Sequence, residues 1–440
     1  MLNASDNELI TRTGPGTPMG ALFRRFWIPA LLASELPKPD GVPVAFGLLG
    51  EKLVAFRDST GQVGVLEARC PHRHASLFWG RNEEGGLRCA YHGWKFDRAG
   101  ACLDMPAEPV DSPYKDAVKA VAYETREAGG LIWVYMGPKD KRPEFPDFEW
   151  TLVGEDQRLV TKRLQLCNYL QNLEGEVDTA HVNFLHRELR SPDPSTTVPG
   201  LQRESRKPDQ SILPPGNLAR KQFLISETDF GLVAMARSEE PDDEYYWRMT
   251  PFILPSFTVI PSGIEEANTW TAIIPIDDHR AWGFTATWHH ARPLDEAEVE
   301  NVTGGGGVHV HVDPETFLPL ANKANHYLID RDLQVSQSFT GIFGVRNQDL
   351  AVQEDQDGTI CRRDEEHLGV TDRGIVGTRR LLLKLAKDLQ KGIDPPQVAH
   401  PRAFRVRSVT ATVPRSLDPV ELFASGQPQA ADAQALGAAY

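Results

Sequence analysis

The chain is poor in cysteine. Five residues (Cys70, Cys89, Cys102, Cys167, Cys361) among 440 are an odd number and too sparse for a disulfide scaffold, so a reducing compartment is expected and cysteines beside histidines read as ligands. It also lacks any run near the roughly 18 apolar residues that span a bilayer, and "MLNASDNELITRTGPG" has no basic start followed by an apolar stretch. A soluble, cytoplasmic protein is the expectation. Basic blocks are missing too: 47 Lys plus Arg against 61 Asp plus Glu give a formal charge of -14, which argues against nucleic acid or an anionic membrane as partner. There is no internal repeat, and no GxGxxG opening a nucleotide-binding βαβ unit. A nicotinamide cofactor, if used, belongs to another chain.

What is present divides the chain. Turn signals in "GPGTPMG" close a short arm over 1–25. From 26 to 146 short apolar runs broken by Gly and Pro read as an all-β domain: "VPVAFGLLGEKLVAFRD" as two strands about a turn at Gly50-Glu51, "GLIWVYMG" as another strand. "KDKRPEFPDFEW" has charge, proline and aromatics without periodicity and suits a linker. Downstream, 147–425 reads as a second domain. "CNYLQNLEGEVDTAHVNFLH" has helical spacing, "KQFLISETDFGLVAMAR", "YYWRMTPFILPSFTVI" and "AWGFTATWHH" read as antiparallel strands, and "PETFLPLANKANHYLIDRDL" and "RGIVGTRRLLLKLAKDLQKG" as helices. The basic C-terminal half of the last suits the negative end of a helix dipole. The tail 426–440, ending "AADAQALGAAY", is small and polar enough for loose order. The class is α+β.

The densest chemistry is "CPHRHASLFWGRNEEGGLRCAYHGW": Cys70-x-His72, sixteen residues, Cys89-x2-His92. Two short pairs on separate turns can converge on one centre. Two thiolates and two imidazoles suit tetrahedral zinc or a [2Fe-2S] cluster with the histidines on one iron and the cysteines on the other. The flanks "CPHR" and "CAYHGWKFD" resemble the Rieske ferredoxin fold. His74 reads as a polar loop residue, not a fifth ligand.

A second set follows in Asp178-x2-His181-x4-His186. At about 100° per residue Asp178 and His181 lie about 60° apart on a helix, but His181 and His186 diverge by about 140°, which predicts an irregularity between them. Two histidines and a carboxylate make the facial triad of non-heme Fe(II) oxygenases.

Together with "GPGTPMGALFRRFWIPALL", "DMPAEP", "LQNLEGEVDTAHVNFLH", "GVRNQDLAVQE" and "EEHLG", these stretches resemble the α subunits of Rieske non-heme iron ring-hydroxylating oxygenases, the phthalate dioxygenase-like group. The resemblance implies an N-terminal Rieske β domain and a C-terminal helix-grip domain. It implies a [2Fe-2S] cluster on Cys70, His72, Cys89 and His92, and a mononuclear Fe(II) on His181, His186 and a carboxylate. That carboxylate is Asp349, with Glu354, Asp355 and Asp357 close by in sequence. Homotrimers or stacked trimers are implied, with His92 of one chain facing Asp178 of the next. A carboxylate between two metal-bound imidazoles fixes both rings and couples their charge. Also implied are electrons from NADH through a separate flavin and iron-sulfur reductase, and an aromatic carboxylate as substrate, hydroxylated with O2. Arg248, then Arg237, are candidate anchors for that carboxylate, since arginine offers a two-pronged donor. O-demethylation or monooxygenation of a methoxylated or phenoxy-substituted acid shares every metal residue, and an electron-transfer protein needs only the first site. The glycines at 304–307 read as a mobile loop, and His309 and His311 as one face of a short strand or lid.

Overall fold

The computed structural model describes residues 2–109, 112–187, 189, 221–263 and 265–428. Val44–Leu48 and Glu51–Arg57 form the expected hairpin. Its turn is Leu49-Gly50, one residue earlier than the sequence suggests, because both take positive φ (49° and 76°), the conformation that matches hairpin twist. These strands belong to a six-stranded antiparallel sheet in the order Trp27–Leu32, Leu131–Tyr135, Ala122–Ala128, Val63–Glu67, Glu51–Arg57, Val44–Leu48. A smaller sheet of Arg81–Glu83, Gly86–Arg88, Lys95–Phe96 and Cys102–Asp104 lies between its strands in sequence. It shares a core of Val54, Phe56, Leu66, Leu77, Leu87, Trp94 and Phe96 with the first.

The second sheet has eight antiparallel strands. Seven run in the order Arg158–Gln165, Ala281–Trp288, Asn268–Pro275, Phe257–Ile260, Glu244–Ile253, Gly231–Glu240, Gln222–Thr228, and Val409–Pro414 also pairs with Glu244–Ile253. Across it lies the long helix Arg373–Gln390, brought close by Gly377, where a Cβ would stand 2.9 Å from Ile225. The mixture is α+β as expected. Among the described residues, no helix is long and apolar enough to cross a membrane.

Three expectations need correction. "PETFLPLANKANHYLIDRDL" is not one helix: it holds a 3-10 stretch, Lys323–Leu328, interrupted at His326 and Tyr327 (φ 53° and 54°), and a separate turn of helix, Arg331–Ser336. Tyr327 is drawn inward by its hydroxyl, which donates to Glu354 at 2.7 Å, and this tertiary bond overrides the local pattern. "KDKRPEFPDFEW" is no free linker, since Phe148 and Trp150 are 1% exposed. Phe148 stacks on Trp133 of the first sheet, and both meet Trp270 of the second, so aromatics without periodicity fill the seam between the sheets. The arm 1–25 forms two helices, Ala4–Thr11 and Pro18–Phe23, capped by Asn3 and Thr17. They lie on the second domain: Asn7 donates to the Cys361 carbonyl at 2.9 Å and Tyr169 to that of Ile10 at 2.6 Å. Of the expected tail, residues 429–440 lie outside the described residues.

Candidate functional site

Cys70 and Cys89 sit in two loops built alike. In each, the cysteine amide donates to the carbonyl five residues on (Ala75 and Trp94, both 2.8 Å). The amide four residues on returns to the cysteine carbonyl, from His74 at 2.9 Å and Gly93 at 3.0 Å. Such a turn needs one left-handed residue, supplied by His74 (φ 60°) and Gly93 (φ 77°). His74 is therefore a turn residue pointing to solvent, as the sequence reading held, with a specific backbone reason. Gly93 also lets Pro106 close in, its Cγ 2.7 Å from where a Cβ would be.

The loops bring four donors together. Both cysteines are buried, the rings of His72 and His92 are 4.5 Å apart, and His72 stacks on buried Trp94 at 4.4 Å. Burial pushes the Cys70 thiol up to about 11, against the amides of His72 and Arg73 aimed at its sulfur, and the nearby Cys89 adds to the rise. Two buried thiols side by side, with backbone N–H groups aimed at one sulfur, suit thiolates neutralised by iron.

The second set is assembled from distant stretches. Helix Tyr169–Val177 ends because Asp178 is extended (φ -85°, ψ 115°). The Asp178 carboxylate then accepts from the amide of Ala180 at 2.8 Å, starting a single turn, Val182–Leu185, flanked by His181 and His186. The break thus lies upstream of His181 and again at His186 itself, not within the turn between them. The two rings end 5.1 Å apart. Asp349 comes from helix Val345–Gln353. Its Oδ1 lies 3.3 Å from Nε2 of His186 and 3.6 Å from Nε2 of His181.

Proton positions follow from the partners behind the rings. Gln348 donates its amide to the Ile342 carbonyl at 2.8 Å, which turns Oε1 to Nδ1 of His186 at 2.7 Å. Asp178 Oδ2 lies 3.3 Å from Nδ1 of His181. Gln348 thus sets the His186 proton on Nδ1, and Asp178 stands where it favours the same tautomer of His181, which leaves each Nε2 lone pair to face Asp349. Three lone-pair donors facing one another within 4.8 Å, with no proton between them, repel unless a cation lies among them; cis ligands at about 2.1 Å from a metal stand about 3 Å apart. The donor set fits a mononuclear non-heme iron.

Glu354 lies elsewhere. It accepts from the Leu166 amide at 2.9 Å and from Tyr327, and burial raises its carboxyl above the ordinary value. His309 and His311 form no strand face: His309 is buried between the hydroxyls of Thr161 and Thr287, 2.7 and 2.8 Å away, and His311 is exposed. Burial, with Arg163 and Arg346 near, lowers His309 to about 3. Nor do the glycines form a free loop. Gly305, Gly306 and Gly307 are buried, and the carbonyls of Gly306 and Gly307 accept the amides of Val345 and Arg346 at 3.1 Å each. They cap the helix that carries Asp349, whose own N-cap, Gly344, has no side chain to do so. Sequence reasoning missed this, and missed Gln348 and Arg346. Their signal was "RNQD", four consecutive polar residues, all buried.

Arg248 and Arg237 line a small cleft with Lys221, Thr179, Val182 and Asn183, the last three from the segment that carries the histidines. Burial opposes protonation of His181 and nearby Arg248 adds to that, but Asp178 and Asp349 outweigh both and raise it. Arg237 also bonds Gln222 and covers the Tyr245 ring. Among the described residues, no contact joins His92 to Asp178 within the chain: His92 meets His72 and Tyr91, and Asp178 meets Ala180 and His181.

Comparison with known proteins matches two family models. Residues 26–119 match the Rieske [2Fe-2S] domain, and residues 134–437 match the family described as LigXa C-terminal domain like. The chain is 39% identical to the 3-chlorobenzoate-3,4-dioxygenase oxygenase subunit of Comamonas testosteroni, over 95% of this chain and 97% of that protein. It is 36% identical to the phthalate 4,5-dioxygenase oxygenase subunit of Pseudomonas putida, over 95% and 94%. Among solved structures, dicamba monooxygenase bound to dicamba shares the fold, with a TM-score of 0.58 at 18% identity over 85% of this chain and 100% of that one.

Proposed function

The chain belongs to the Rieske oxygenases as an oxygenase subunit, and from that premise we propose that it hydroxylates an aromatic carboxylate with O2. In this reading Cys70, His72, Cys89 and His92 hold the [2Fe-2S] cluster, and His181, His186 and Asp349 hold Fe(II). The observation that carries it is the second donor set beside a cleft lined by Arg248, Lys221 and Arg237. An electron carrier needs neither. Two of its relatives are named for chlorobenzoate and phthalate, and a cationic cleft suits such anions.

A ferrous iron in the second site supplies activation of dioxygen, and the chain's own residues do the rest. Arg248 orients the substrate carboxylate so that the ring lies toward the histidines. Gln348 and Asp178 hold the Nδ1 protons that keep both Nε2 atoms available. Asp178 would face His92 of a neighbouring chain in a head-to-tail homotrimer and so link the residues that would hold the two centres. The electrons come from NADH through a separate reductase, and the domains divide near residue 146.

Anaerobically purified protein is expected to contain about three irons and two acid-labile sulfides per chain. With NADH and a flavin and iron-sulfur reductase, benzoate- and phthalate-type acids are then expected to drive O2 uptake matched by hydroxylated product; O2 uptake without product from any aromatic acid overturns the reading. Arg248→Ala is expected to raise KM for carboxylated aromatics more than for neutral ones, and an equal rise removes the anchor.

A further inference from the structure

The two histidines of the second site each have a partner that fixes the ring, Asp178 behind His181 and Gln348 behind His186. A carboxylate ligand poses a harder problem. The terminal torsion of Asp is broad and roughly two-fold, so nothing in Asp349 itself decides whether one oxygen or both reach a metal.

The surroundings distinguish the two oxygens. Oδ1 faces both Nε2 atoms and has no hydrogen-bond donor, although it is buried. Oδ2 turns the other way, 3.4 Å from Nη1 of Arg346, one helical turn earlier. Arg346 cannot follow the carboxylate inward, because the same Nη1 is 2.5 Å from Oε1 of Glu176, and the two side chains are 2% and 3% exposed. Glu176 stands in the last turn of the helix that leads to Asp178 and His181. Arg163, fixed by Thr285 at 2.6 Å, faces the same group from the sheet. The cation on Oδ2 is thus tied to the element that supplies the histidines.

We propose that Arg346, anchored by Glu176, is a positioning residue that holds Asp349 to one-oxygen coordination through Oδ1 and so keeps a coordination position open beside the two histidines. This rests on the reading that His181, His186 and Asp349 hold Fe(II). Without Arg346, Oδ2 loses the cation nearest to it and can rotate toward the metal and fill that position. Paired neutral replacement, Arg346→Gln with Glu176→Gln, avoids leaving either charge buried alone.

The test uses the full chain with its cluster oxidised and EPR-silent, loaded with ferrous iron and exposed to nitric oxide, whose high-spin adduct reports the ligands around the iron. The wild type is expected to give one signal and Arg346→Lys, which keeps the cation, the same one. The double variant is expected to retain its iron yet show a shift in rhombicity and weaker nitric oxide binding. A double variant with wild-type iron content and a superimposable signal overturns the proposal. Should it fail to fold or to keep iron, Glu176→Gln alone decides: a smaller shift in the same direction supports the role, and a wild-type signal overturns it. Absence of any nitrosyl signal from the iron-loaded wild type instead overturns the assignment of iron to this site.

Discussion

The two donor sets are built by opposite means. The cluster loops are local: four ligands fall within residues 70–92, and each loop closes on its own backbone through the same two hydrogen bonds. The second site draws His181 and His186 from one end of a helix and Asp349 from another helix. It needs Gly306 and Gly307 to cap that helix, and Gln348 and Arg346 to orient the ligands. A self-contained loop keeps its geometry while surroundings change. A site assembled across the fold inherits every shift in the elements behind it, and can be tuned through residues that never touch the metal.

If that contrast holds, damage to the second site leaves the first intact. His186→Ala is expected to abolish product formation and reduce iron toward two per chain while the two sulfides and the Rieske EPR signal persist; loss of sulfide as well breaks the comparison. Asp178→Asn, touching the proposed link between the sites, is expected to leave both loaded yet slow turnover by about 10–100-fold or more, measured with excess reductase, and near-normal turnover removes the bridge. Gly344→Ala places a side chain at φ 85°, its Cβ 2.9 Å from the Gly305 carbonyl oxygen. The strain, about 1–3 kcal/mol, is expected to lower the Tm and weaken Fe(II) binding with the cluster unchanged; unchanged Fe(II) titration denies the glycine segment its part. The smallest effect belongs to His74→Gly. A left-handed position accepts glycine within about 1 kcal/mol, so cluster content and EPR are expected to stay as they are, and loss of the cluster makes His74 more than a turn residue.

The same contrast explains what the sequence disclosed. Cys70, His72, Cys89 and His92 stand out because their spacing and their turn residues lie in one stretch. His181 and His186 were legible as a pair, but the break that aims them was placed too late, because it depends on Asp178 leaving the helix and capping the next turn. Between Asp349 and Glu354 the local sequence offered no criterion; five residues apart, they go to different surroundings, one facing the histidines and the other Tyr327. Gly305 to Gly307 were misread because flexibility is the ordinary meaning of consecutive glycines, and their partners, Val345 and Arg346, lie about forty residues on. The strands of the large sheet were visible from their apolar runs, whereas Phe148 and Trp150 looked like linker because their burial is set by Trp133 and Trp270 on the two sheets.

The first helices of the chain rest on some of its last elements. Asn7 bonds Cys361, 354 positions away, and Asp6 pairs with Lys387. At about 5–20 residues per second of synthesis, these helices emerge about 18–70 seconds before the surface that receives them. Their buried side chains, Ile10, Met19, Leu22 and Phe23, stay incompletely covered through that interval, although Phe23 meets Tyr169 earlier. The cluster loops, complete by residue 94, can close long before. The order of manufacture therefore runs from the middle of the chain outward, and the beginning is finished near the end.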